Sequence, residues 1–92
     1  MEKFGRDFFK NAPVEPGVYV FRGARDRVLY VGQSHNLKVR LAYYKNAQPE
    51  REPRRIIRLI HETENISWRT CSTAEEAQLI EIEQIRELRP KF

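Results

Sequence analysis

Near the start of the chain, β-branched and aromatic residues cluster in two short runs that favour extended backbone. Val18, Val20 and Phe21 predict a strand from about residue 17 to 22, and Val28 to Gly32 predict a second. The polar stretch Arg22-Gly23-Ala24-Arg25-Asp26-Arg27 between them reads as a turn, so the two strands form a hairpin. Gly17 follows Pro16 and marks the start of the extended run. After the hairpin the period changes: Leu37, Leu41 and Tyr44 recur at helical spacing to about residue 46, and Asn36 stands where it can cap that helix.

Glu50 to Pro53 reads as the entrance of a second helix, whose apolar face is Ile56, Ile57, Leu59 and Ile60, ending at about Thr63. Ile66, Trp68 and Thr70 alternate with Ser67, Arg69 and Cys71, a period of two that predicts a third strand with one face buried. Ser72 or Thr73 caps a last helix running to about Leu88, Glu75 and Glu76 complement its N-terminal dipole, and Pro90 stops it. The order strand, strand, helix, helix, strand, helix predicts an α/β chain of the α+β kind, with a small three-stranded, mainly antiparallel sheet flanked by three helices.

At 92 residues the chain is expected to form a single domain, 1–92, with no repeat, linker or low-complexity segment. Its one cysteine, Cys71, excludes an internal disulfide and has no metal-ligand spacing around it, which fits a cytoplasmic location. No apolar run approaches the roughly 20 residues of a membrane span, and the first residues are charged rather than signal-like. A net charge of +4 favours a polyanionic partner, because each lysine or arginine that meets a phosphate releases counterions. That charge is uneven. Residues 38 to 69 carry eight basic and four acidic side chains, whereas residues 73 to 89 carry five glutamates and two arginines, so the middle of the chain is basic and the last helix acidic.

Glu81 stands out on the last helix. At about 100° per residue, Ala74, Ala77, Gln78, Ile82, Ile85 and Leu88 fall on one side, and Glu81 lies inside that arc. A carboxylate aimed at an apolar seam is costly unless it is paired at the rim with a cation or holds a metal. Arg40 shares a face of the first helix with Tyr44, four residues on; it is either an ordinary exposed arginine or a rigidly presented phosphate grip. Tyr19 and Tyr30 fall near opposite ends of adjacent strands, where half-buried packing is their ordinary role. His35 and His61 form no zinc-like cluster, and there is no Gly-rich cradle of nucleotide-binding type.

The triplets Gly17-Val18-Tyr19 and Tyr30-Val31-Gly32, the following Gly32-Gln33-Ser34-His35-Asn36-Leu37-Lys38-Val39-Arg40-Leu41, the late segment Glu76 to Glu81 and the closing Leu88-Arg89-Pro90-Lys91-Phe92 stand in one order. That order resembles the GIY-YIG nuclease family, in particular the nuclease domains of bacterial excision-repair incision subunits, over a core of about residues 13–92. The resemblance implies a metal-dependent endonuclease that hydrolyses DNA phosphodiester bonds. Glu81 matches the ligand of one Mg or Mn ion, and Arg40 the residue that stabilises charge on phosphorus. Tyr19 matches a general base or water-orienting residue and Tyr30 a partner holding the water or the scissile phosphate. A free phenol, with pKa near 10, is a poor base at neutral pH, so Tyr19 in that role needs a neighbouring metal or arginine.

Tyr44 matches a further family tyrosine contacting phosphate, with Tyr43 as the competing assignment. Gln33 stands where the excision-repair members carry a lysine; it removes a positive charge yet keeps a hydrogen-bond donor for phosphate. The family's asparagine beyond the Pro-Lys-Phe segment has no counterpart in these 92 residues. Lys38, Lys45, Arg54, Arg55 and Arg58 form a basic face where a DNA backbone can lie, or else a solvated helix face; His35 in the adjoining loop can touch phosphate or simply face solvent. Nothing in that face reads bases. The expected partners are DNA and repair or recombination proteins, with no membrane. The rival functions are a catalytically impaired DNA-binding module of the same fold and a protein-interaction domain.

Overall fold

The first strand, β1 (Gly17–Arg22), is buried along almost its whole length, because strands pair with both of its edges and helices cover both of its faces. This is a computed structural model that describes residues 11–92. β1 is followed by a 3₁₀ turn at Ala24–Asp26, β2 (Val28–Ser34), α1 (Leu37–Lys45), α2 (Arg54–Glu62), β3 (Asn65–Thr70) and α3 (Ala74–Leu88). The sheet has the order β2-β1-β3 and every pairing is antiparallel, as the pattern predicts.

Successive side chains of β1 point to opposite layers. Val18 and Val20 join Val31, Cys71 and Ala77 beneath α3. Tyr19 and Phe21 join Leu37, Leu41 and Tyr44 of α1, Leu59 of α2 and Ile66 of β3 on the other face. β2 departs from strict alternation. Phe21 faces Tyr30 and Arg22 faces Val28, which leaves Leu29 as the extra residue of a β-bulge. The bulge turns Leu29 and Tyr30 toward the same aromatic layer.

Both helix caps lie within the predicted segments. Asn36 Oδ1 accepts from the Val39 amide at 3.1 Å, and Thr73, rather than Ser72, accepts from the Glu76 amide at 3.1 Å. β2 runs two residues beyond its predicted end, because Gln33 and Ser34 are paired with Val18 and Gly17 of β1; a partner strand rewards polar residues that hydropathy would exclude. α2 begins at Arg54, not in the Glu50 to Pro53 segment, where the amides of Arg51 and Glu52 instead turn back onto the Gln48 carbonyl. β3 keeps its alternation for Ile66 and Trp68 but loses it at Thr70, which is exposed.

The predicted seam of α3 is rotated. Ala77, the smallest residue available, is fully buried against the sheet with Ile80 packed beside it, whereas Ile82 and Ile85 are 51% and 42% exposed. A helix laid across two strands buries one narrow stripe, and close approach selects the side carrying Ala77. Beyond α3, the amides of Lys91 and Phe92 donate to the carbonyls of Val28 and Leu29 on the free edge of β2. Lys91 Nζ meets Glu62 at 2.8 Å, and the Phe92 ring packs on the aromatic layer. The closing segment therefore ties β2 to α2.

Candidate active site

The two glycines of the hairpin signature are required by close approach. A Cβ on Gly17 would stand 2.4 Å from the Arg69 carbonyl oxygen and 2.5 Å from Leu37 Cδ1, so the bare residue lets the first buried side chain of α1 reach the sheet. A Cβ on Gly32 would stand 2.3 to 2.7 Å from the phenol end of Tyr19, whose ring lies across β2 at that point. Gly32→Ala is expected to displace the Tyr19 ring and to cost about 1–3 kcal/mol of stability, the usual range for overpacking. Thermal unfolding of the variant measures this directly.

Because Tyr19 faces Gly32 and Phe21 faces Tyr30, the two tyrosines are not at opposite ends of the hairpin but two rungs apart on one face, with ring centroids 6.1 Å apart. α1 adds Tyr44, whose hydroxyl lies 3.0 Å from that of Tyr19. Its ring meets Phe21 edge-on at 4.9 Å. Tyr44 is buried, whereas Tyr43 lies on the surface, which separates the two competing assignments.

Burial pushes the Tyr19 phenol far above its ordinary range, and the neighbouring Tyr44 adds to the shift. Burial likewise pushes Tyr44 up to about 12. Arg40 pulls both in the opposite direction but is outweighed. Both phenols are therefore neutral at physiological pH and share one hydrogen bond. Of the two neighbours that could favour an ionised Tyr19, a metal or an arginine, Arg40 alone does not suffice, because desolvation penalises the phenolate more than Arg40 favours it.

A proton held more tightly in the folded than in the unfolded chain stabilises the fold below the unfolded pKa, here 10.0, and that contribution is lost as pH rises through the folded values. The chain is accordingly expected to lose stability above about pH 10. Tyrosinate absorbance followed alongside circular dichroism should show Tyr19 and Tyr44 ionising only as the fold is lost.

Arg40 is exposed on α1 and, among the described residues, has no hydrogen bond or ion pair. Gln33 is half-buried, paired with Val18, and by alternation faces the α3 layer rather than the tyrosines. Glu81 comes from that same layer, next to Ile80, and is half-buried. Desolvation alone raises its carboxyl pKa, and among the described residues it has no cation partner, so the rim salt bridge weighed from sequence is not formed there. The structure thus brings Tyr19, Tyr30 and Tyr44 together with Arg40 nearby, while Glu81 and Gln33 approach from the other face of the sheet.

The basic side chains Lys38, Arg54, Arg55 and Arg58 are exposed, as is His35 in the short β2–α1 connection. Arg58 is partly engaged, 3.8 Å from Glu62 and stacked over Phe92. Among the described residues no group of three or more His, Cys, Asp or Glu side chains converges. That donor set excludes an all-protein cage but fits magnesium, which keeps several waters and takes only one or two carboxylates. Sequence reasoning missed one polar contact on this side: the Tyr43 hydroxyl donates to Glu52 Oε1 at 2.5 Å, and nothing in a loop glutamate's local sequence announces it.

Known proteins give the arrangement its context. The chain is 42% identical over 87 residues to UvrABC system protein C of Ruegeria pomeroyi, an overlap of 95% of this chain and 14% of that protein. It is also 42% identical over 81 residues to the protein of the same name in Bradyrhizobium diazoefficiens, covering 88% and 12%. The chain thus spans about one seventh or less of these relatives. In three dimensions it is similar to the GIY-YIG N-terminal endonuclease domain of UvrC from Thermotoga maritima, solved with magnesium as its catalytic divalent cation. The TM-score is 0.80 at 32% identity, over 99% of this chain and 96% of that one. Tyrosine-to-phenylalanine and asparagine-to-alanine variants of that domain also hold the divalent cation. A family model for the UvrC-like GIY-YIG domain matches residues 15–92. With the hairpin signature, the sheet and the helices all in register with that family over nearly its whole length, the chain belongs to the UvrC-like GIY-YIG domain family.

Proposed function

We propose that residues 1–92 form one divalent-metal-dependent endonuclease domain that hydrolyses a DNA phosphodiester bond in one step. The observation that carries this is Glu81: a half-buried carboxylate, destabilised by desolvation, with no protein cation beside it among the described residues. Glu81 would hold the magnesium or manganese ion, which supplies Lewis-acid charge to the phosphate and neutralises the leaving oxygen.

The chain's own residues do the rest. Arg40, whose guanidinium has no hydrogen bond or ion pair among the described residues, grips two phosphate oxygens and stabilises the charge that develops at phosphorus. Tyr30 is the half-buried tyrosine of the cluster, so its hydroxyl, rather than that of Tyr19, orients the attacking water. Tyr19 and Tyr44 stay neutral and hold the aromatic wall on which Tyr30 rests. Water attacks phosphorus as the bond to the leaving oxygen breaks; the water's proton leaves by way of the Tyr30 hydroxyl to solvent, and the leaving oxygen takes up a proton from solvent. Gln33 donates to phosphate from the other side.

Lys38, Arg54 and Arg55 position the DNA backbone without reading bases, with His35 and Arg58 at the margin. Replacing Arg54 or Arg55 by alanine is expected to lower the slope of log Kd against log salt by about one for each phosphate that the side chain neutralises, leaving sequence preference unchanged. Titrations of one duplex at several salt concentrations measure it. Repair-protein partners and a cytoplasmic location belong to the same proposal, supported by relatives named as UvrABC system proteins. Among the described residues no helix is long and apolar enough to cross a membrane.

The test is cleavage of labelled linear, nicked, flapped and branched DNAs with Mg or Mn, comparing the wild-type chain with Glu81→Ala. Cutting that needs both the metal and Glu81 supports the proposal and begins to identify the substrate. Metal-independent cutting removes the metal and Glu81 from the proposal, and binding without cutting overturns it in favour of an inactive DNA-binding module.

A further inference from the structure

The surroundings of Arg40 contain a side-chain relay that the proposed chemistry does not use. The guanidinium carbon of Arg40 lies 5.9 Å from the centroid of the Tyr43 ring, three residues further along α1 and within cation–π range. Tyr43 is held at two points. Its hydroxyl donates to Glu52 Oε1 at 2.5 Å, and its ring meets Tyr44 edge-on, with centroids 5.1 Å apart at 71°. The hydrogen bond to Glu52 is also the main reason its phenol stays protonated above its ordinary range. Tyr43 is 37% exposed and belongs to neither core cluster, so core packing does not call for a large aromatic at this position.

Glu52 takes the phenolic hydrogen and forms no ion pair with Arg40. Among the described residues the guanidinium has no hydrogen-bond or ion-pair partner, while one of its faces rests on a ring. We infer that Tyr43 and Glu52 are positioning residues for Arg40: the ring limits the guanidinium to one sector, and Glu52, from the segment joining α1 to α2, holds the ring. An arginine whose orientation is settled before the phosphate arrives loses less freedom when it binds the transition state. This rests on the proposed role of Arg40 in cleavage.

The test uses the whole 92-residue chain, magnesium and a labelled DNA that the wild type cleaves. Tyr43→Leu, Tyr43→Phe, Glu52→Ala and Arg40→Ala are compared singly and in combination, with thermal unfolding confirming that each folds. Tyr43→Leu is expected to lower kcat about two- to fivefold while leaving KM for DNA unchanged, in line with the strength of an exposed cation–π contact. Tyr43→Phe and Glu52→Ala should give equal, smaller losses that do not multiply, because both remove the same bond. In the Arg40→Ala background Tyr43→Leu should have no further effect.

A second readout does not depend on cleavage. The Arg40 Nε–H resonance should be shifted upfield by the Tyr43 ring and should return toward its ordinary position in Tyr43→Leu. If Arg40→Ala abolishes cleavage while Tyr43→Leu leaves kcat intact, or if the two losses multiply, the positioning role is overturned and the role of Arg40 stands. If Arg40→Ala leaves cleavage intact, it is the role of Arg40 that fails. An Arg40 resonance indifferent to Tyr43→Leu overturns the platform whether or not the chain cuts DNA.

Discussion

Glu81→Gln is expected to reduce metal-dependent cleavage by roughly a thousandfold, the loss of about 4 kcal/mol of transition-state stabilisation, while leaving DNA binding and the fold intact. Glu81 is half-buried in α3 and desolvation raises its carboxyl pKa, so the charge is disfavoured there in the absence of a partner. Glutamine has the same shape without the charge. It removes an anion that is costly for the fold to keep, so the thermal midpoint should be unchanged or slightly higher, the opposite of what loss of a structural ion pair would produce.

The sign of the pH dependence follows from the same shift. A raised carboxyl pKa means that protons compete with the metal as pH falls, so cleavage should decline on the acid side, and added magnesium should move that limb to lower pH. Rate profiles at two magnesium concentrations, with unfolding scans of both proteins, decide the matter. A Glu81→Gln chain that cuts at the wild-type rate would remove the metal ligand from the proposal.

Arg40→Ala is expected to cost 10²–10³ in kcat, about 2.7–4 kcal/mol, the range seen when one preorganised donor to a developing anion is removed. Arg40→Lys should recover little of it, because a point charge on a flexible stem cannot grip two oxygens of one phosphate. Arg40 is exposed and, among the described residues, has no hydrogen bond or ion pair, so neither variant should unfold the chain. Affinity for DNA should fall by no more than the worth of one phosphate interaction. Single-turnover cleavage beside equilibrium binding separates the two effects. Equal losses in binding and in turnover would make Arg40 an ordinary backbone contact.

The two predictions fall on residues that are legible in the sequence to different degrees. Helical spacing alone places Arg40 correctly, one turn before Tyr44 and one turn after the cap at Asn36. Glu81 stands out in the sequence for sharing an arc with Ile82 and Ile85, yet both isoleucines are exposed, and the half-burial of Glu81 comes from its position beside Ala77 and Ile80. The periodicity finds the right residue through a seam that the fold does not bury. Hydrophobic periodicity cannot tell which of two adjacent apolar stripes a helix buries when both carry aliphatic residues, because the choice depends on the shape of the sheet beneath.

What the chain determined by itself is whatever rests on short-range chemistry: the element order, the hairpin, the cap at Asn36, a cap at Ser72 or Thr73 and the stop at Pro90, each decided by atoms within a few residues of one another. Tertiary structure alone decided the rest. The bulge at Leu29 turns that residue and Tyr30 into one layer, the partner strand carries β2 on through Ser34, and close packing on the sheet selects the face of α3. The protonation of Tyr19 belongs to the same class, since a phenol's pKa depends on how much water is removed from around it, and that is a property of two helices, three strands and a bare glycine meeting in space.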